Sequence, residues 1–215
     1  MAKETKKTKS ETVVISPPNF QVAVFKIVGT SPYCQNKFSD KARHMMRIAQ
    51  EAGSTGGKGR KKVAKDFKQC YEDAKHISDD GWCGMPATAF RNACVAACRM
   101  TGVKMTHAKL SIFVEADGID AGDMSPLIKI TKGKPKYSEM AVRNETGVCD
   151  LRARPMWAPG WEAIVRIRFD GDQFTLEDVT NLLNRVGMQV GIGEGRPSSP
   201  KSCGMGWGLF EIATK

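Results

Sequence analysis

Basic side chains set among glycines are the first candidates for chemistry. Between Gly191 and Gly208 the chain carries six glycines, with Arg196, Lys201 and Trp207 among them. Glycine lets backbone N–H groups come close to a phosphate. Arginine and lysine add charge, and an indole adds a stacking or packing face. A dinucleotide fingerprint also uses such glycines, but it needs GxGxxG between a strand and a following helix, with an acidic residue about 20 positions on. Here the run follows a helical pattern and precedes a strand pattern, and no GxxxxGK[ST] occurs. What remains is a connector shaped for close approach to a phosphate chain, set against the plainer reading of a flexible turn.

Other basic stretches add to it. Lys58, Arg60, Lys61, Lys62 and Lys65 crowd a glycine-rich segment, "GSTGGKGRKKVAK". Charge of one sign there reads as a polyanion-binding loop or a solvated linker. Lys129, Lys132, Lys134 and Lys136 mark a second stretch, and Arg152, Arg154, Trp157 and Trp161 a third. Phosphate contacts need Lys or Arg and carry no base specificity. Trp157 and Trp161 offer rings for stacking on bases, or, for Trp161, for packing at a strand start.

Catalysis finds less support. No GxSxG or HExxH occurs. His44 falls on the polar side of a helical pattern and reads as a surface histidine; His107 sits at the end of a loop. "DGIDAGD", with Asp117, Asp120 and Asp123, lacks the twelve-residue EF-hand pattern and reads as a solvated acidic loop. The 7 cysteines include no tight CxxC pair, and His44, His76 and His107 have no zinc-finger spacing to them. The expectation is free thiols in a reducing compartment, no metal and no cofactor.

The charge balance agrees with a polyanion partner. Lys+Arg 33 against Asp+Glu 23 gives a formal net charge of +10, which attracts nucleic acid or an anionic membrane at long range. No apolar run is long enough to span a bilayer. The start, "MAKETKKTKSETVV", lacks the apolar core of a secretory signal. A cytoplasmic protein is expected.

The elements that must position these residues are partly legible. Residues 20–29, "FQVAVFKIVG", read as a strand. "FSDKARHMMRIAQEAG" reads as a helix capped by Ser39, with Ala42, Met45, Met46 and Ala49 on its apolar face and Lys41, Arg43 and Arg47 opposite. "DFKQCYEDAKHI" is a weak helix pattern. From Pro86 to Gly102 a helix places Phe90, Ala93, Cys94 and Ala97 on one close-packing face. "KLSIFVEA" reads as a buried strand, and "SPLIKITKGKPKYSEMAVR" as an irregular hairpin. In "WEAIVRIRF", Ala163, Val165, Ile167 and Phe169 alternate with a mostly polar set containing Arg166 and Arg168. Thr175 and Asp178 resemble a capping box before a stripe of Leu176, Val179, Leu182, Leu183 and Val186 that ends at Gly187. "WGLFEIA" reads as the last strand.

Strand–helix at the start and strand–helix–loop–strand at the end suggest an α+β fold: a ferredoxin-like, RRM-like antiparallel sheet with helices on one face and basic loop insertions. Its other face would be free to meet a ligand, with Arg166 and Arg168 on it. The division expected is a disordered basic arm at 1–17 and one domain at 18–215, with insertions at about 54–80 and 116–160.

Residues 190–212, "VGIGEGRPSSPKSCGMGWGLFEI", are similar to the C-terminal glycine-rich loop of the RAMP superfamily, RRM-fold proteins that build the RNA-binding backbones of CRISPR effector complexes. "KIVGTSP", "FSDKARHMM", "GMPATAFRNACVAA", "NLLNRVG" and "VGIGEGRP" also resemble a widespread uncharacterised phage and prophage family, across most of residues 20–213. RAMP loops often carry more arginines near the last glycines; Met205, Trp207 and Leu209 stand here instead. The resemblance implies assembly along a strand, and for RAMP-type nucleases a histidine near the first helix, for which His44 is the counterpart.

The function expected is non-catalytic, sequence-nonspecific binding of single-stranded RNA or DNA, as a homo-oligomer or filament, away from membranes. A self-associating structural protein and a RAMP-like nuclease are the alternatives.

Overall fold

A computed structural model describes residues 15–51, 53, 65–143, 149–199 and 205–213. In chain order the elements are β1 (Phe20–Gly29), β2 (Tyr33–Cys34), α1 (Asp40–Glu51), α2 (Phe67–Asp73), β3 (Gly84–Pro86), α3 (Ala87–Ala97), α4 (Met105–Ser111), β4 (Ile112–Glu115), β5 (Gly118–Ile119), β6 (Pro126–Lys132), β7 (Lys136–Arg143), β8 (Cys149–Trp157), β9 (Glu162–Asp170), α5 (Leu176–Arg185) and β10 (Phe210–Ile212).

Strict alternation makes β1 and β9 the centre of the fold. Ala23, Phe25 and Ile27 share a face with Ala163, Val165, Ile167 and Phe169, and all are buried. β10 pairs with the end of β1, and β9 pairs with β1 on one side. Its other side is shared: β4 runs along Arg166–Phe169, and β6 meets Ala163 and Glu162. β3 and β5 extend the sheet beyond β6. Every one of these pairings is antiparallel.

Two helices seal the buried face. α3 contributes Phe90, Ala93, Cys94 and Ala97, where small side chains permit a close approach. α5 contributes Val179, Leu182 and Leu183. Burying each large apolar side chain is worth about 1.5–3 kcal/mol. The start of α5 is held by a reciprocal cap. The Asp178 amide donates to Thr175 Oγ1 at 3.1 Å, and the Thr175 amide donates to Asp178 Oδ2 at 2.9 Å.

A second sheet, in the order β2-β8-β7, takes β7 and β8 from the expected insertion at about 116–160 and adds β2. Aromatic contacts join it to the first: Tyr33 lies 5.5 Å from Trp157 and 5.6 Å from Trp161, and Trp161 lies 6.2 Å from Phe210. The two sheets share one core.

Several local expectations change. The expected hairpin at 125–143 is two strands of different sheets, because Gly133, at φ 102°, turns the chain out of the first sheet and into the second. Lys109–Ser111 close α4, and the strand begins only at Ile112. α5 does not end at Gly187. It continues as a π-helical turn, Val186–Val190, and Gly191 at φ 69° ends it. Gly187 is needed within that turn because a Cβ would meet the Phe210 carbonyl at 2.1 Å. Leu176 leads the helix and is exposed, outside the buried stripe. The last strand is shorter than "WGLFEIA", starting at Phe210. α1 forms as expected, but Met45, Met46 and Ile48 are exposed rather than covered.

Candidate nucleic-acid interface

The loop after the π turn folds back on the protein. Glu194 N donates to Cys34 O at 2.9 Å, and Gly208 N donates to Pro32 O at 2.7 Å. At Gly193 (φ 79°) a Cβ would lie 2.5 Å from Cys34 O, and at Gly208 it would lie 1.8 Å from Ile192 O. These glycines therefore serve close backbone packing against β2 and within the loop itself. That corrects the expectation that they are spaced for phosphate.

Packing the loop in this way brings distant cations together. Glu194 accepts from Arg152 Nη1 at 2.8 Å and from Arg154 Nε at 2.7 Å. Arg196 Nη1 donates to Gly193 O at 2.9 Å. Arg143 from β7, Arg152 from β8 and Arg196 from the loop line one cleft of about 540 Å³, with Glu194 as the acidic residue of its lining. Its floor and wall include Tyr33, Gln35 and His76.

A buried polar network supports that wall. Gln35 Nε2 donates to Gly84 O at 2.6 Å, and Gln35 Oε1 accepts from the His76 amide at 3.1 Å. His76 Nδ1 lies 3.1 Å from Asp120 Oδ2, and Lys37 Nζ donates to Asp120 Oδ1. The Asp120 carboxylate is wholly buried. Burial alone would raise its pKa, but hydrogen bonds from Lys37, the Gly122 amide and His76 hold it below the usual carboxylate value. Burial lowers the pKa of His76, against the opposing pull of Asp120.

The acidic segment is thus not a solvated loop. Asp117 pairs with Arg166, Asp120 with Lys37, and Asp123 with Arg43 at 3.6 Å. It neutralises cations that sequence alone presents as available.

The open sheet face carries other expected residues. Arg168 stacks against Phe20 at 5.1 Å and Phe113 at 5.3 Å, and those rings are 5.7 Å apart. Val22 and Val24 beside them are exposed. Lys132 and Lys26 both bind Glu162, at 2.9 and 2.8 Å. Arg47 pairs with Glu51 at 2.8 Å. Lys134, between β6 and β7, and Lys136, the first residue of β7, are exposed. The Lys41 backbone lies in α1, and its side chain is outside the description. Lys58, Arg60, Lys61, Lys62 and Lys201 lie outside the described residues.

Trp157 requires correction as a stacking residue. It is fully buried against Tyr33, and its indole N–H has no acceptor among the described residues. Trp161 is buried too, donating from Nε1 to Ser31 O at 2.9 Å. Trp157 ends β8 and Trp161 immediately precedes β9, so both lie at the junction of the two sheets, where apolar area is covered.

Arg143, Gln35 and His76 are cleft residues that local pattern does not single out. His76 and Asp120 are 44 positions apart, with no motif linking them. Among the described residues no group of three or more His, Cys, Asp or Glu is arranged to hold a metal ion. Among the described residues no helix is long and apolar enough to cross a membrane. No protein-family model matches the chain, and no curated protein matches it in sequence.

Proposed function

We propose that this protein binds single-stranded nucleic acid through its phosphate backbone, without sequence specificity and without cleaving it. One observation carries the reading: Arg143, Arg152 and Arg196 come from separate segments to line a single cleft. Guanidinium groups are suited to phosphate oxygens, and the net charge of +10 favours a polyanion.

The fold fits the same role. β1, α3, β4, β9, α5 and β10 follow the β-α-β-β-α-β order, and their strands lie in the order β10-β1-β9-β4. This supports a ferredoxin-like, RRM-like core. Phe20, Phe113 and Arg168 on its open face would form a second, stacking contact. Similarity of the glycine-rich ending to RAMP proteins is consistent with a phage-type, cytoplasmic protein that assembles along the strand.

The test is fluorescence anisotropy of the full chain with labelled single-stranded RNA and DNA across a salt series. Binding is expected to weaken steeply with salt as counterions are released. No binding, or binding indifferent to salt, overturns the reading.

A second reading rests on the edge of β1. β10 covers Ile27–Gly29, and among the described residues no strand pairs along Phe20–Phe25 on that side. An uncovered apolar edge is a place for self-association. An oligomer of equal size with and without nucleic acid, measured by light scattering, would favour this reading.

A further inference from the structure

We infer that His76 gives the cleft a preference for RNA over DNA by accepting a hydrogen bond from a ribose 2′-hydroxyl; the inference rests on the nucleic-acid reading above. The arginines lining the cleft are donors only. They hold phosphates, which RNA and DNA share, so they cannot tell the two apart. A 2′-hydroxyl differs in bringing a donor of its own, and a site that recognises it through that donor needs a positioned, unoccupied acceptor.

The side-chain acceptors of the cleft are largely committed. Glu194 is taken by Arg152 and Arg154. Gln35 Oε1 is taken by the His76 amide, and the Tyr33 hydroxyl is 3.3 Å from Gln35 Nε2. Asn36 and Ser199 also line the cleft, but no side-chain hydrogen bond among the described residues fixes either. His76 differs from all of these. Asp120 is ionised and accepts only, so His76 Nδ1 carries the proton that joins them. In the neutral ring Nε2 is then a bare acceptor. It has no partner among the described residues, and it is not among the sealed, unsatisfied atoms. The side chain is 12% exposed and lines the cleft. Asp120 is itself anchored by Lys37 and the Gly122 amide, so the ring is aimed from behind.

The experiment uses one sequence as RNA, as DNA and as 2′-fluoro RNA, which keeps the ribose pucker but cannot donate. RNA is expected to bind about three- to tenfold more tightly than either of the others, the range of one hydrogen bond. His76→Asn retains a donor for Asp120 but withdraws Nε2. It is expected to bring the ratio of RNA to DNA affinity, both measured on the same variant, down to about one. Equal wild-type affinities for RNA and DNA, 2′-fluoro RNA binding as tightly as RNA, or an unchanged preference in His76→Asn would each overturn the inference while the nucleic-acid reading stands. Binding of none of the three strands would overturn both. The wild-type comparison needs no variant to fold.

Discussion

The arginine cleft and the open sheet face hold similar numbers of basic residues but differ in what occupies them. On the sheet face Arg166 is tied to Asp117, and Lys26 and Lys132 share Glu162. Arg168 remains without a carboxylate among the described residues, yet two rings already flank it. In the cleft Glu194 serves both Arg152 and Arg154, Asp150 lies 3.7 Å from Arg152, and among the described residues Arg196 donates only to the Gly193 carbonyl. A carboxylate cancels a cation's field, whereas a carbonyl leaves its charge to act on a ligand. The count of lysines and arginines therefore measures long-range attraction, and the pairing of each one decides which charges remain available to a polyanion.

The largest test removes the support of the cleft. Asp120→Ala leaves Lys37 without its buried partner and is expected to cost about 3–5 kcal/mol of stability, measured by denaturant unfolding. The same network sets an acid response. The folded pKa of Asp120 is below its unfolded value, so its contribution is complete above about pH 3.9 and is lost as pH falls through the folded value. His76, its pKa lowered mainly by burial, acts in the same direction from about pH 6.5 downward. Thermal unfolding across that range should show a loss on acidification whose upper part disappears in His76→Asn. An unchanged profile in that variant would remove His76 from the network.

Next in size is the cleft itself. Arg143→Ala combined with Arg196→Ala is expected to weaken single-strand binding on the order of tenfold to a hundredfold and to lower the salt slope by about two. The sheet face gives the smallest effect. Arg168→Ala is expected to change affinity about threefold or less, because its charge is already engaged by Phe20 and Phe113. If Arg168→Ala costs more than the cleft double variant in the same anisotropy assay, the sheet face is the principal surface and the comparison reverses.

How much of this could be read in advance depended on range. α5 was legible because its cap joins Thr175 to Asp178 and its stripe recurs within a few residues. β9 was legible because alternation is a property of consecutive positions. α1 was legible as a helix, but not whether anything covers Met45 and Met46. The acidic segment reads as solvated in sequence because its partners, Lys37, Arg43 and Arg166, are far away along the chain. The glycines were placed correctly in a connector, but what approaches them is the protein's own backbone at Cys34 and Ile192.

By itself, then, the sequence determined the periodic elements, the caps and the excess of positive charge, since these depend on neighbours in the chain and on composition. Only the tertiary structure decided that Trp157 is core, that Asp120 is buried beneath His76, and which arginines share a cleft. Those outcomes depend on which strands pair and which carboxylate reaches which cation, and contacts across many tens of residues leave no local pattern to read.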